Sequence, residues 1–255
     1  MTKRIGFLLV CLLLFAACKS DKKSALPLSF EPKVFTEKAN DTCELREFNC
    51  TIIQLEVLEA FGDEEAAKKI NQSLREHLVL AVSTEESPEI RSPEQMAKDF
   101  VAQQKKVAEE YDSDFPWYAL VNQSIYFQSD SLISIGVDTE VMTGGAHGYA
   151  ATSFFNFDPQ TGDEYDHDDL FKEGFTAYVE RIFRQQEEIA TDSLINSTGY
   201  WFEDDQFHLP INIGFEEDKV ILVYNPYEIA SYADGEFYLE LPKNEVSEYL
   251  KLKIE

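Results

Sequence analysis

Gly144, Gly145 and His147 fall within one short run, Met142-Thr143-Gly144-Gly145-Ala146-His147-Gly148-Tyr149, where the chain comes nearest to a site with chemistry of its own. Adjacent glycines can turn backbone N–H groups toward an anion. No lysine or arginine stands nearby to add charge, so phosphate binding is a weak reading. The bland alternative is a tight turn in which Gly144 or Gly145 takes a positive φ and His147 packs locally. His147 with a carboxylate such as Asp166 or Asp168 would instead suit an uncharacterised hydrolase. His147, His167 and His208 with Asp166, Asp168 and Asp169 could hold a metal if folding gathered them, but lone histidines beside carboxylates are more often solvated pairs. The run from Asp158 to Asp169 has the length of a calcium loop, yet Asp163 occupies the position that needs glycine and Asp169 the one that prefers glutamate. A Gly-x-Ser-x-Gly elbow, a Walker loop, His-Glu-x-x-His and Cys-x-x-Cys are all missing. Binding is therefore favoured over catalysis, and no metal or cofactor is expected.

A second unusual stretch runs from Tyr224 and Asn225 through Tyr227 to Tyr232 and Gly235. Its tyrosines could line a groove for glycan rings, because an aromatic side chain joins an apolar face to a polar tip. They could equally pin an irregular loop to the core.

The elements that must carry these residues follow from periodicity. Thr51 to Glu59 is β-branched and partly alternating, which predicts a strand. Asp63 caps a helix with Ala66, Ile70, Leu74 and Leu78 on one face, ending near Val82. Ser92-Pro93-Glu94-Gln95 starts another, with Ser92 as cap, Pro93 at the first turn and Gln95 placed to complete a capping box. That helix turns Met96, Phe100, Val107 and Tyr111 to one side. Strands are expected over 117–128, 132–142, 151–157, 207–213, 219–224 and 237–241, with a helix over 174–188 and a short one after Pro242. The predicted fold is α+β, two packed halves, each a mostly antiparallel sheet with helices on one face. The boundaries are a signal segment at 1–17, a tether at 18–42, and halves at 43–142 and 143–255.

Lys3 and Arg4, the apolar run Ile5 to Phe15, and Ala16-Ala17-Cys18 read as a secretion signal with a lipoprotein cleavage site. The segment is too short to span a membrane. Lipidation at Cys18 would anchor an exported protein to a bacterial envelope membrane, the outer membrane being expected. Cys43 and Cys50, left as a lone pair in an exported chain, are expected to form a disulfide closing a small loop, worth about 2–3 kcal/mol. The formal charge of −26 excludes nucleic acid as a natural partner and favours cations.

Thr143-Gly144-Gly145-Ala146-His147-Gly148, Asn156-Phe157-Asp158 with Thr161-Gly162, Asp169-Leu170-Phe171 and the stretch Tyr224 to Gly235, in that order, resemble an uncharacterised domain of the C-terminal extracellular part of the anti-sigma factor RsiV. Residues from about 43 to 140 resemble the companion domain that precedes it there and in the accessory region of the peptidoglycan deacetylase PdaC. The resemblance implies an α+β envelope module of two packed halves. It implies binding to peptidoglycan or to a lysozyme-like cationic protein, since RsiV senses lysozyme by binding it. The chain lacks RsiV's sigma-binding part and transmembrane helix, and lacks the His-x-x-x-His metal motif of the deacetylase catalytic domain.

Overall fold

The computed structural model describes residues 27–45, 47, 49–84 and 88–254. The signal segment 1–17 and the lipidation site Cys18 lie outside them. The first layer of strands is a five-stranded sheet in the order β1-β2-β3-β4-β5, formed by β1 (Ser29–Lys38), β2 (Ile52–Phe61), β3 (Tyr118–Gln128), β4 (Ile133–Met142) and β5 (Tyr149–Phe157). Its β2–β3 pair is parallel and the others antiparallel. A parallel pair needs a long crossover, and here α1 (Glu64–Val82) and α2 (Pro93–Tyr111) supply it.

Part of the expected tether is β1. Residues 29–38 pair with β2 from Ser29↔Phe61 to Lys38↔Ile52. The strand is mostly exposed, so no sustained alternation betrays it, and Pro32 is tolerated because an edge strand has one unpaired side. Phe30 and Phe35 still pack against the main core, and Leu28 is buried in it.

Both long helices start where their caps place them. Asp63 accepts from the backbone N–H groups of Glu65 and Ala66, and Ser92 Oγ from that of Gln95 at 3.2 Å. Gln95 does not complete a capping box; its amide donates to Asp99 at 2.9 Å, a carboxylate one turn further on. Tyr111 is exposed while Met96, Phe100 and Val101 are buried, so the apolar stripe of α2 ends before its last turn. The helices cover the sheet face that carries Ile53, Leu55, Val57, Ala119, Val121, Ile135 and Val137.

The second half is built on a three-stranded antiparallel sheet, β6 (Asn212–Phe215), β7 (Lys219–Tyr224) and β8 (Phe237–Pro242), with α3 (His167–Leu170), α4 (Phe175–Gln186) and α5 (Lys243–Val246). Val220, Leu222 and Tyr224 on β7 join Phe175, Val179 and Phe183 of α4 in one core. On the opposite face, Ile221 and Val223 pack on Phe154 of β5 and Tyr126 of β3. The layers therefore run helices, sheet, sheet, helix, as the α+β expectation of two packed halves requires.

The expected division at 142/143 is displaced. Val141 pairs with Tyr149, so the glycine stretch closes a hairpin inside the first sheet and is not the junction of the halves. The change of half comes after Phe157. There Gly162, at φ +71, sits so close to α1 that a Cβ would stand 2.3 Å from the Ala66 carbonyl oxygen. Lys69 then pairs with Asp163 at 2.6 Å and Ser73 Oγ donates to Glu164 at 2.7 Å.

Candidate functional site

The hairpin loop between β4 and β5 brings His147 to exposed Tyr227 and half-buried Tyr232 of the second stretch. Gly144 and Gly145 take φ +110 and +89, with nothing within 4 Å of a Cβ built at either. Both are needed for backbone conformation rather than close packing. The His147 ring stacks on Tyr232, centroids 3.9 Å apart and planes at 21°. Its Nδ1 lies 2.8 Å from the Gly148 carbonyl oxygen; a carbonyl can only accept, so this nitrogen carries the hydrogen. In the neutral ring Nε2 is then an acceptor for the Tyr227 hydroxyl at 3.3 Å.

Tyr227 is the strained member of the group. The Glu228 N–H donates to the Asn225 carbonyl at 3.0 Å, closing a turn with Pro226 second and Tyr227 third. Tyr227 holds φ +73 in that turn and is 53 % exposed. Glycine or asparagine suits such a position far better. A tyrosine held at positive φ on the surface points to a role for its ring, since the conformation itself is unfavourable.

The other two residues of that stretch are structural. Tyr224 is fully buried and its hydroxyl donates to the His208 carbonyl at 2.6 Å; burial pushes that hydroxyl's pKa up. Asn225 clips onto β5, its amide donating to the Thr152 carbonyl at 3.0 Å and accepting from the Thr152 N–H at 2.9 Å. Asn156 Nδ2 likewise donates to the Ile213 carbonyl at 2.7 Å, and Ser134 Oγ accepts from the Phe215 N–H at 3.1 Å. These side chains join the halves where no continuous ladder does. Beneath Tyr227, the Glu228 carboxylate accepts from the backbone N–H groups of Ile211 and Asn225, both at 3.0 Å. Burial nevertheless raises its pKa.

Among the described residues no carboxylate orients His147; Gly148 and Tyr227 take its two ring nitrogens. Asp166 instead begins α3, where its N–H donates to Asp169 at 3.0 Å. His167 Nε2 lies 3.2 Å from the Ile211 carbonyl and His208 Nδ1 3.0 Å from that of Leu209. The three histidines thus have separate local partners. Among the described residues no group of three or more His, Cys, Asp or Glu side chains is placed to hold a metal ion. The first part of the 158–169 run is a turn, with Asp158 Oδ1 accepting from the Gln160 N–H at 2.7 Å. Cys43 and Cys50 are disulfide-bonded.

Sequence reasoning missed the aromatics that flank the cluster. Tyr118 of β3 lies beside the loop, its hydroxyl 3.1 Å from where a Cβ on Gly148 would stand. Its pKa is raised by burial first, then by Glu140 and Tyr232. Tyr149 is exposed on β5, and Tyr238 of β8 lies 3.3 Å from Thr152 Oγ1 through its hydroxyl. Tyr118 and Tyr238 were hidden inside strands whose composition reads as ordinary β-structure.

The fold and the ring cluster define an α+β module of two sheets with an aromatic site at its surface. Residues 44–150 match the family described as Deacetylase PdaC and residues 168–244 the family described as Protein of unknown function (DUF3298). The two matches follow one another in the order that the motifs suggested. No curated protein matches the chain. Among solved structures, it resembles a DUF3298 family member from Bacteroides fragilis NCTC 9343 at 18 % identity and TM-score 0.62, over 89 % of this chain and 96 % of that one. It also resembles a DUF3298 family protein from Pseudomonas aeruginosa PAO1 at 18 % identity and TM-score 0.62, over 88 % and 95 %. At that identity the likeness speaks for the fold.

Proposed function

We propose that the chain is a lipid-anchored cell-envelope binding module, tethered through Cys18, whose ligand face is the aromatic cluster of His147, Tyr227 and Tyr232. One observation carries the reading. Two segments 80 residues apart in sequence meet in a surface cluster of three rings, His147 stacked on Tyr232 and Tyr227 tilted against both, while among the described residues no carboxylate partners the histidine. Such rings suit the apolar faces of sugars, and peptidoglycan is the envelope polymer that presents them. The anchor rests on the signal-like N-terminus and the domain pairing.

A second ligand, a lysozyme-like cationic protein, is favoured by a different observation. No lysine or arginine occurs between Lys106 and Lys172, the span that contains β3, β4, the glycine loop and β5. Such a surface attracts a basic partner and speeds its arrival.

Retention of the purified protein on sacculi and on immobilised lysozyme, each across a salt titration, tests the proposal. Retention on sacculi that persists at high salt and falls in Tyr232→Ala supports the glycan reading. Binding to lysozyme alone, fading as salt rises, supports the second. Failure to bind either at physiological salt overturns the proposal.

A further inference from the structure

The face of the five-stranded sheet turned away from α1 and α2 is only partly covered by the second half. Ile221, Val223 and Phe154 pack over one end of it. At the other end a cleft of about 520 Å³ remains open, within the range of small-ligand sites. The strand register lays its floor out in two transverse rows. One row is Gln54, Leu120, Glu140 and Ala150; the next is Glu56, Asn122, Asp138 and Thr152.

Two residues further along β3 on the same face stands Tyr118, paired with Met142. Its hydroxyl lies beside Gly148, the neighbour of His147, which stacks on Tyr232. Tyr118 thus extends the floor of the cleft toward the rings, a trough of about 13 Å from Asn122 to Tyr118 at the usual rise per strand residue. Ala150 and Thr152 keep the β5 side shallow. Glu236 of the second half and Leu45 of the disulfide-closed loop line it as well.

The chemistry of this trough is specific. Amides and hydroxyls alternate with carboxylates, and rings stand at one end, the combination that holds a hydroxyl-rich sugar chain by hydrogen bonds and stacking. Among the described lining residues Glu56, Asp138, Glu140 and Glu236 are acidic and none is basic. An anionic sugar substituent is disfavoured there, and a protonated amine gains charge-assisted hydrogen bonds. We infer that the trough binds an oligosaccharide carrying free amino groups, a glucosamine-type chain rather than a fully N-acetylated or acidic one. The inference rests on the proposed binding role and narrows its glycan ligand to chains, or stretches of peptidoglycan, whose sugar amino groups are free.

The test is calorimetric titration of the purified protein with glucosamine tetramer and with N-acetylglucosamine tetramer, below the pKa of the sugar amine. Sacculus retention is measured on the same sample. The expected result is tighter binding of the amine-bearing tetramer by about tenfold or more, the scale of one charged hydrogen bond. That preference is abolished in Asp138→Asn/Glu140→Gln, which keeps the shape of the floor. Tyr232→Ala weakens both tetramers, and circular dichroism confirms that each variant is folded. Equal binding of the two tetramers, or a preference that survives in the double variant, overturns the assignment to amino sugars. Sacculus retention without binding of either tetramer overturns the trough but leaves the envelope-binding role standing; loss of all binding overturns both.

Discussion

At the scale of single residues, the room left for a Cβ separates glycines that serve packing from those that serve conformation alone. Gly162→Ala should cost well over the roughly 1–2 kcal/mol of a strained backbone alone, because the new methyl meets the Ala66 carbonyl oxygen. Gly145→Ala, with open space around it, should cost only the backbone strain, about 1–2 kcal/mol. Urea unfolding midpoints of the two variants compare them directly. Tyr227 runs the other way. Tyr227→Gly removes a side chain from a left-handed position and should stabilise the fold by about 0.5–1 kcal/mol while weakening sacculus retention. A variant that is less stable than the parent would show that the ring is held for packing.

Among the elements, β1 matters most to how this module is delimited. The PdaC-type match begins at residue 44, after the whole of β1. A chain shortened to begin at Cys43 would lose Leu28, Phe30 and Phe35 from the core and expose the edge of β2. Such an edge is a template for pairing with another chain. The shortened protein should unfold at lower temperature and associate, whereas one beginning at Pro27 should behave as the parent. Size-exclusion chromatography with thermal unfolding distinguishes the two. The helices were legible because caps and four-residue spacing are local signals; β1 was not, because what makes it a strand is its partner.

Across the whole molecule, the loop after β5 ties the two halves through Glu164. Burial pushes this carboxyl's pKa up, but hydrogen bonds from His77 and Ser73 outweigh it and leave the pKa lowered. A carboxyl lowered in the folded state contributes stability above its unfolded value of about 4.3, and that contribution is lost as pH falls through the folded value. Glu164→Gln should therefore lower stability near neutrality and flatten the loss below about pH 4. Melting temperatures taken across the acid range measure this.

By itself the sequence determined the repertoire of elements, the Cys43–Cys50 pairing, the acidic surface and the two stretches from which a site could be made. These are written in caps, periodicity, composition and spacing, which depend on near neighbours. The tertiary structure alone decided that Tyr224 and Asn225 serve the core and the seam while Tyr227 and Tyr232 face His147. It also moved the boundary between halves from the glycine loop to the segment after Phe157. Strand register set the rows that make an open trough of Gln54, Asn122, Asp138 and Thr152. Each of these outcomes depends on which distant strand lies alongside, a choice made by long-range burial and pairing that no local pattern records.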